Sequence, residues 1–312
     1  MVQNKFVSQT NTVAVVPVPF SGGQPRDGVD EGPVRLLEFG IIDQIKELGW
    51  EVDFSGEVGS FEHLRPAEDP DIGNMKNPRY VSQVTQAVAK VVESHAKKGQ
   101  FVLTLGGDHS LGISTVSGTL AAYPDACVIW VDAHADINTP ETTESGNLHG
   151  CPLSFVTGIA GETPEFEWVK PALPTERLVY IGLRDVDDAE KKILKKYNIK
   201  SFSMHEVDKY GIGQVVQMAL DHVNPNRDRP LHLSFDVDAL DPSVAPSTGT
   251  PVRGGLTFRE GHYICEALYE TGCLVATDIV EVNPALGDEA SLYQTVAVGC
   301  SLARCALGET LL

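Results

Sequence analysis

The stretch "CVIWVDAHADINTP", residues 127–140, sets ionisable side chains directly after an apolar run. Residues 127–131 are all apolar, which is typical of a strand that is covered on both faces of a parallel sheet. Asp132, His134 and Asp136 then follow at alternate positions. The stretch therefore predicts a buried strand whose carboxyl end carries two carboxylates and one imidazole.

Similar apolar runs recur along the chain and alternate with segments of helical character. Besides 127–131, the strand-like runs are residues 12–20, 101–105, 177–183, 231–235 and 273–282. Alternating strands and helices predict an α/β fold, a doubly wound and mainly parallel sheet with helices on both faces. No low-complexity linker or sharp change in composition interrupts the chain, so a single domain over residues 1–312 is expected.

Two of the intervening segments have clear helical patterns. Residues 80–98 carry valines at helical spacing, namely Val81, Val84, Val88 and Val91. Residues 259–272 form the other, with Gly272 as its stop, because glycine favours helix C-termini. Long loops are predicted over 57–79 and 138–150, and loops of that length are often functional.

The composition limits the partners of this chain. It has 43 acidic and 24 basic residues, a formal charge of −19, which disfavours binding to a nucleic-acid backbone. Such a charge serves solubility and would also attract a cationic substrate. No apolar run is long enough for a membrane span, and the N-terminus has no signal core. The six cysteines form no Cys-x-x-Cys pair and read as buried thiols, so a cytoplasmic protein is expected.

Ionisable residues follow two further apolar runs. His109 comes shortly after the run at 101–105, and Asp236 and Asp238 follow "LHLSF". Glu281 stands near the end of the last run. Open parallel sheets bind their ligands at the carboxyl ends of their strands, so all of these side chains are expected at one rim.

Four aspartates and two histidines at one rim point to metal ions. Buried carboxylates repel one another and are costly to desolvate unless cations compensate them. An oxygen-rich set without thiolates favours Mn²⁺ over Zn²⁺ or Cu²⁺, and two ions about 3.5–4 Å apart can activate a shared water. The candidate ligands of two Mn²⁺ ions are His109, Asp132, His134, Asp136, Asp236 and Asp238.

Other motifs are weaker. A single Asp-x-Asp is commonly only a turn or a helix cap, but ionisable residues that follow three separate core strands favour metal binding. The chain has no His-Glu-x-x-His, which argues against a zincin. Gly22 and Gly23 are not part of a Gly-x-Gly-x-x-Gly, so dinucleotide binding has little support.

Seven blocks between Pro19 and Pro284 resemble the arginase branch of the ureohydrolase family. They are "PFSGGQPRDGVDEGP", "LGGDHS", "DAHADINTP", "SGNLHG", "GLRDVD", "SFDVDALDPSVAPSTGTP" and "DIVEVNP". The resemblance implies an α/β/α sandwich in which the six candidate ligands hold two Mn²⁺ ions. It also implies hydrolysis of L-arginine to L-ornithine and urea by a hydroxide that bridges the ions.

The resemblance implies roles for further residues. Asp136 would be the partner of the hydroxide and its proton, His149 the proton shuttle, and Glu281 the carboxylate that faces the guanidinium. An imidazole titrates near neutrality and suits a shuttle, although it could also merely stabilise a loop. The substrate-binding residues implied are Asn138, Thr143, Ser145, Asp187, Glu190 and Thr250. Taken singly, each of these would be ordinary loop polarity.

The chain departs from the family pattern in three places. Ala135 stands where the family often has Thr, and it is expected to point away from the metals. Cys151 stands where many arginases have Gln, and an inert packed thiol is favoured there over a reactive one. The chain ends soon after "VAVGCSLARCALGETLL", without the longer tail that helps to trimerise animal arginases. A homotrimer is nevertheless expected.

Two other functions stay open. A related amidinohydrolase would act on agmatine or 4-guanidinobutyrate, which lack the α-carboxylate or the α-amino group of arginine. The polar residues of 138–150 favour arginine, since they suit an amino-acid head. A metal-binding regulatory protein without catalysis is the other alternative, and the presence of His149 and Glu281 beside all six ligands argues against it.

Overall fold

A computed structural model describes residues 2–170 and 172–310, and within them eight β-strands form one sheet. The strands are β1 (Thr12–Val18), β2 (Glu51–Asp53), β3 (Phe101–Gly106), β4 (Cys127–Val131), β5 (Leu178–Leu183), β6 (Lys200–Ser203), β7 (Leu231–Asp236) and β8 (Leu274–Val280). Their order is β2-β1-β3-β8-β7-β4-β5-β6, and each neighbouring pair is parallel. The ends of the predicted domain, residues 1 and 312, lie outside the described residues.

Sequence patterns identified six of these strands and missed two. The six predicted runs became β1, β3, β4, β5, β7 and β8, with small shifts at their ends. The strands that were missed, β2 and β6, form the two edges of the sheet. They are three and four residues long and partly exposed, so neither forms an apolar run. Edge strands of this kind are short because unpaired edges invite aggregation.

Ten α-helices accompany the sheet in the described part of the chain. They are α1 (Gly32–Glu38), α2 (Ile41–Glu47), α3 (Pro78–Lys97), α4 (Gly112–Ala122), α5 (Pro152–Thr157), α6 (Asp188–Lys196), α7 (Met204–Tyr210), α8 (Ile212–Val223), α9 (Phe258–Glu270) and α10 (Glu289–Ala306). None of the described helices is long and apolar enough to cross a membrane.

The helices cover both faces of the sheet, as β8 illustrates. Successive side chains of a strand point to opposite faces. Asp278 accepts a hydrogen bond from Thr115 of α4, whereas its neighbour Ile279 lies beside Gly299 of α10. The predicted α/β/α sandwich with a parallel sheet is therefore confirmed.

The two predicted helices are also present, with one correction to the apolar stripe. Val81, Val84 and Val88 of α3 are buried as expected, but Val91 is 41% exposed and Val92 is buried in its place. A stripe centred on these valines drifts with the 3.6-residue repeat, so position i+4 from Val88 faces the core and position i+3 does not. The second helix, α9, stops before Gly272, which adopts a φ of +66° as expected at a C-terminus.

The four central strands, β3, β8, β7 and β4, point their carboxyl ends at the same rim. These four strands are fully buried. All six cysteines are buried free thiols, as the sequence predicted. The end of β3 is fixed by Gly107, because a Cβ there would lie 1.9 Å from the carbonyl oxygen of Phe20. This close approach delivers His109 to the rim two residues later.

Candidate active site

One part of the rim is built around His109, which is almost completely buried. Its Nδ1 lies 3.0 Å from Asp132 Oδ2, 3.2 Å from Asp136 Oδ2 and 3.2 Å from Asp236 Oδ2. None of the three contacts has hydrogen-bond geometry, so this nitrogen is a buried polar atom without a hydrogen-bond partner among the described residues. The ring stacks on Trp130, with centroids 3.9 Å apart and planes 8° from parallel. The imidazole nitrogen and the three carboxylate oxygens converge on one place, and such a set of atoms is suited to bind a cation.

A second part of the rim is built around His134, which is more open. Its Nδ1 lies 3.1 Å from Asp238 Oδ2 and 3.3 Å from Asp132 Oδ1. Asp132 therefore belongs to both groups, with one carboxylate oxygen toward each imidazole. Thr250 donates a hydrogen bond to Asp238 Oδ2 at 2.8 Å. The two possible metal-holding groups thus share one carboxylate.

The spacing of the aspartates has a local cause. Asp132 Oδ1 accepts a hydrogen bond from the backbone N–H of His134 at 2.7 Å, and Asp236 Oδ1 accepts one from Asp238 at 2.7 Å. In each motif the first side chain therefore caps its own turn, as aspartates commonly do. The second oxygen of each carboxylate faces His109 instead. Each of these aspartates can therefore stabilise its turn with one oxygen and act as a candidate metal ligand with the other.

The electrostatics of the rim support a divalent cation. Burial, with the charge of Asp132, raises the pKa of Asp136 to about 7. Burial, with the charges of Asp238 and Asp132, raises the pKa of Asp236 well above its ordinary range. These carboxylates resist ionising together because burial and the neighbouring aspartates outweigh the favourable effect of the His109 imidazole. Two groups of residues could each hold a metal ion, namely His109, Asp132 and Asp236 on one side and Asp132, His134 and Asp238 on the other.

Two residues of the rim have an unusual backbone. Asp136 has a φ of +49° and Glu281 a φ of +65°, in the left-handed region that costs about 1–2 kcal/mol for residues other than glycine. Neighbouring contacts hold both in place. The carbonyl of Asp136 accepts from the N–H of Leu153 at 3.1 Å, and the N–H of Glu281 donates to Gly107 at 2.9 Å. Strain of this kind is typical of functional sites.

Glu281 joins His149 to the His109 side of the rim. Its Oε1 accepts from the backbone N–H of His109 at 2.9 Å and lies 3.4 Å from His149 Nδ1. Gln24 Nε2 donates to its Oε2 at 3.4 Å. Burial disfavours a charged His149, but the hydrogen bond and charge of Glu281 outweigh it and raise the pKa of His149 to about 9. The pair forms a buried acid–base couple beside the six candidate ligands.

A cavity of about 150 Å³ opens over the rim. Its lining contains every residue that the sequence comparison suggested for substrate binding, namely Asn138, Thr143, Ser145, Asp187, Glu190 and Thr250. His149, His134, Asp136 and Asp236 line it as well, whereas Glu281 lies behind His149 outside the lining. The predicted loop 138–150 supplies much of the wall.

The N-terminus of helix α6 is hydrogen-bonded to the wall of this cavity. Asp187 caps the helix, and its N–H donates to Glu190 Oε2 at 3.0 Å. Glu190 Oε1 accepts from the N–H of Ile137 at 3.1 Å, and Asn138 Nδ2 donates to Asp187 Oδ2 at 2.9 Å. Glu190 thus acts chiefly on the backbone that carries Asp136, while Asp187 keeps a carboxylate oxygen at the cavity.

Sequence reasoning missed several residues of the site. Asp185 and Asn147 line the cavity, and Asp185 Oδ2 lies 3.8 Å from His134 Nε2. Arg184 donates to the carbonyls of Asp238 at 2.6 Å and Val252 at 2.7 Å, and so fixes the turn after β7. Arg184 and Asp185 stand in the quoted block "GLRDVD", but nothing in its pattern separates them from surface polarity.

The whole sequence matches known proteins. The model of the arginase family matches residues 11–308. The arginase of Glaciozyma antarctica is 65% identical over 312 residues, which cover 98% of this chain and 90% of that protein. The chain belongs to the arginase family. The resemblance carried by the seven sequence blocks is confirmed, and the chain is a hydrolase of that family.

Solved structures agree with this assignment. The arginase of Bacillus caldovelox has a TM-score of 0.88 at 36% identity and covers 97% of this chain and 100% of its own. An Entamoeba histolytica arginase in complex with L-ornithine has a TM-score of 0.84 at 27% identity, with 97% and 100% covered. The sheet that carries the rim is therefore shared with other members of the family.

Proposed function

We propose that this protein hydrolyses L-arginine to L-ornithine and urea with two Mn²⁺ ions at the rim. The observation that carries the proposal is the pair of carboxylate–imidazole groups that share Asp132, beside a cavity lined by polar and acidic side chains. Membership of the arginase family supports the same reaction. The ornithine bound to the Entamoeba histolytica arginase supports an amino-acid ligand for this fold.

The six rim residues would hold the ions. Asp132 would bridge the two positions, and Asp136 and Asp236 would lie on the His109 side. Two bound divalent ions lower the pKa of a shared water and supply a nucleophile at neutral pH. Asp136 Oδ2 lies 3.2 Å from His109 Nδ1, and Asp136 also lines the cavity, so its carboxylate would be suited to accept a hydrogen bond or a proton there.

The leaving amine of ornithine needs a proton, and His149 is placed to supply it. Its ring lines the cavity while Nδ1 is held by Glu281 at 3.4 Å. This contact leaves Nε2 as the nitrogen that can face the substrate. The hydrogen bond and charge of Glu281 raise the pKa of His149, which favours the protonated imidazole that a general acid requires.

The opposite wall suits the amino-acid head. The Asp187 carboxylate can pair with an α-ammonium, and the neutral groups of Asn138, Thr143 and Ser145 can donate to an α-carboxylate. Agmatine and 4-guanidinobutyrate would each leave some of these groups unpaired, and such losses discriminate strongly in a polar pocket. Arginine is therefore the substrate that uses the whole cavity.

The experiment is urea release by Mn²⁺-loaded protein from L-arginine, agmatine and 4-guanidinobutyrate. We expect kcat/KM for L-arginine to exceed the other two by at least about 100-fold. Asp187→Ala should raise KM for L-arginine but hardly change it for 4-guanidinobutyrate, which has no α-amino group. The matched control is Asp188→Ala, an exposed neighbour paired with Lys191 at 3.0 Å, which should behave as wild type. Preference for a truncated guanidine would overturn the substrate, and absence of urea from all three would overturn the reaction.

Three expectations about the whole protein accompany this function. We propose a single cooperatively folded domain, a homotrimer and a cytoplasmic location. Light scattering would measure the oligomer, and a single calorimetric unfolding transition would support one domain. Fluorescence microscopy of the tagged protein in its own cell would test the compartment.

A further inference from the structure

A row of polar side chains crosses the sheet directly beneath His109. The parallel register pairs Ser234 of β7 with Asp278 of β8, and Trp130 of β4 with Ser234. Ser234 and Asp278 point toward α4, and both are at most 1% exposed. Neither residue lines the cavity above the rim. Polar groups so deep in a sheet are costly unless fully hydrogen-bonded, so this row requires an explanation.

The row continues to the metal-facing imidazole. His109 Nε2 lies 2.9 Å from Ser234 Oγ, and Ser234 Oγ donates to Asp278 Oδ2 at 3.1 Å. The same carboxylate oxygen accepts from Thr115 Oγ1 at 2.7 Å and lies 2.8 Å from His232 Nε2. The carboxylate is thus anchored from helix α4 and from both neighbouring groups on β7.

The donors and acceptors fix the direction of these bonds. An ionised carboxylate only accepts, so the hydroxyl hydrogen of Ser234 is committed to Asp278. Ser234 Oγ then has only lone pairs to offer, and His109 Nε2 must be the protonated nitrogen. The lone pair of neutral His109 is thereby placed on Nδ1, which faces Asp132 and Asp236. Burial opposes ionisation of Asp278, but the charge and hydrogen bond of His232 lower its pKa, so the carboxylate remains an acceptor.

Stability alone does not account for this arrangement. A buried ionic pair is often replaceable by apolar residues of similar volume without loss of stability. A second-sphere carboxylate that orients a histidine ligand, by contrast, typically contributes about 10–100-fold to metal affinity. The other imidazole, His134, has no such buried partner among the described residues; its Nε2 lies 3.8 Å from the exposed Asp185.

We propose that Asp278, held by Thr115 and His232, is a positioning residue that acts through Ser234 to fix the tautomer and orientation of His109. It sets the metal affinity of the His109 position and leaves the His134 position unchanged. The inference rests on the two-ion centre of the proposed function, but not on the substrate or on turnover.

The test is a Mn²⁺ titration of metal-free protein, with free Mn²⁺ followed by electron paramagnetic resonance. Wild type should bind two tight equivalents per chain. Ser234→Ala and Asp278→Asn should each weaken one equivalent about 10–100-fold and leave the other tight. Ser234→Thr keeps the hydroxyl and should restore the second equivalent. The exchange-coupled spectrum of a Mn²⁺ pair should be lost in the first two variants at limiting metal and regained in the third.

Two controls separate positioning from folding. Thr119→Val removes the outer contact to His232 Nδ1, at 2.8 Å, without touching Asp278, and should leave both affinities unchanged. Asp125→Asn removes an exposed carboxylate outside the site and should change neither equivalent more than about threefold, because exposed and distant charges contribute little. Equal weakening of both equivalents in Ser234→Ala, or loss of thermal stability with both affinities intact, would overturn the inference. A protein that binds two Mn²⁺ as described but releases no urea would overturn the proposed function and leave this inference standing.

Discussion

The two imidazoles of the rim, His109 and His134, present the same ring nitrogen to carboxylates in different surroundings. His109 has a side chain 1% exposed, stacks on Trp130 and is hydrogen-bonded from below by Ser234. His134 has a side chain 22% exposed, and its Nε2 lies 3.8 Å from Asp185, whose side chain is 66% exposed. The His109 side chain is thus part of the protein core, whereas the His134 side chain belongs to the cavity wall.

This difference follows from where each residue leaves the sheet. His109 follows β3 in a short 3-10 turn whose preceding residue, Asp108, caps the N–H of Ser110 at 2.9 Å. His134 comes from an irregular segment after β4 that rises toward the cavity. A well-packed core fixes a side chain by contact on all sides, whereas a loop residue depends on a few polar contacts. We therefore expect His109 to keep its position when an ion binds, and His134 to change its position as a substrate enters the cavity.

The largest expected effect comes from removing the residue that joins the two metal-holding groups. Asp132→Ala should abolish tight binding at both positions and lower kcat by more than about 10³-fold, because each group loses a charged ligand. Elemental analysis after dialysis and urea release measure these effects. Asp125→Ala, an exposed aspartate before β4, is the matched control and should retain two ions. Two retained ions in Asp132→Ala would refute the shared-ligand assignment.

A smaller effect is expected from His149, which is linked to His109 through Glu281. His149→Ala should lower kcat about 10²–10⁴-fold, the usual contribution of a general acid, and leave Mn²⁺ content unchanged. Added imidazole should restore part of the rate. An unchanged kcat would show that the leaving amine takes its proton elsewhere.

The stability of the metal-free protein should depend on pH through the same residue. The pKa of His149 is about 6.5 in an unfolded chain and is raised to about 9 in the fold. Its stabilising effect is therefore complete below pH 6.5 and is lost as the pH rises through 9. Urea unfolding of metal-free wild type and His149→Asn should differ most at pH 6 and converge by pH 10. A gap that widens with pH would contradict the sign of this shift.

The smallest effect is expected at Cys151, which sits beneath the cavity loop and is buried like the His109 side chain. Burial raises the pKa of its thiol above the ordinary range, so the reactive thiolate is suppressed. Iodoacetamide should leave the activity of the native protein within about twofold, and Cys151→Ala should respond in the same way. Rapid inactivation of wild type alone would show an accessible thiol.

Much of this molecule is readable from local patterns. Apolar runs located the six main strands, since a strand covered on both faces has few polar positions to interrupt the pattern. The edge strands β2 and β6 escaped because they are short and half-exposed. The candidate ligands stood out because several ionisable residues followed core strands, a pattern that needs no knowledge of strand order.

The sequence by itself determined the parallel α/β fold, the rim and the chemical character of the ligands. The tertiary structure decided which ligands could share an ion, because β3 and β4 are not neighbours but lie on either side of β8 and β7 in the sheet. It also decided which residues contact each ligand on the side away from the candidate metal site. Ser234 and Asp278 are polar residues inside mainly apolar strands, a signal that could have been noticed. Their link to His109, however, depends on register between strands far apart in the chain. Local patterns are set by neighbours in sequence, whereas contacts across a sheet are set by packing of the whole fold.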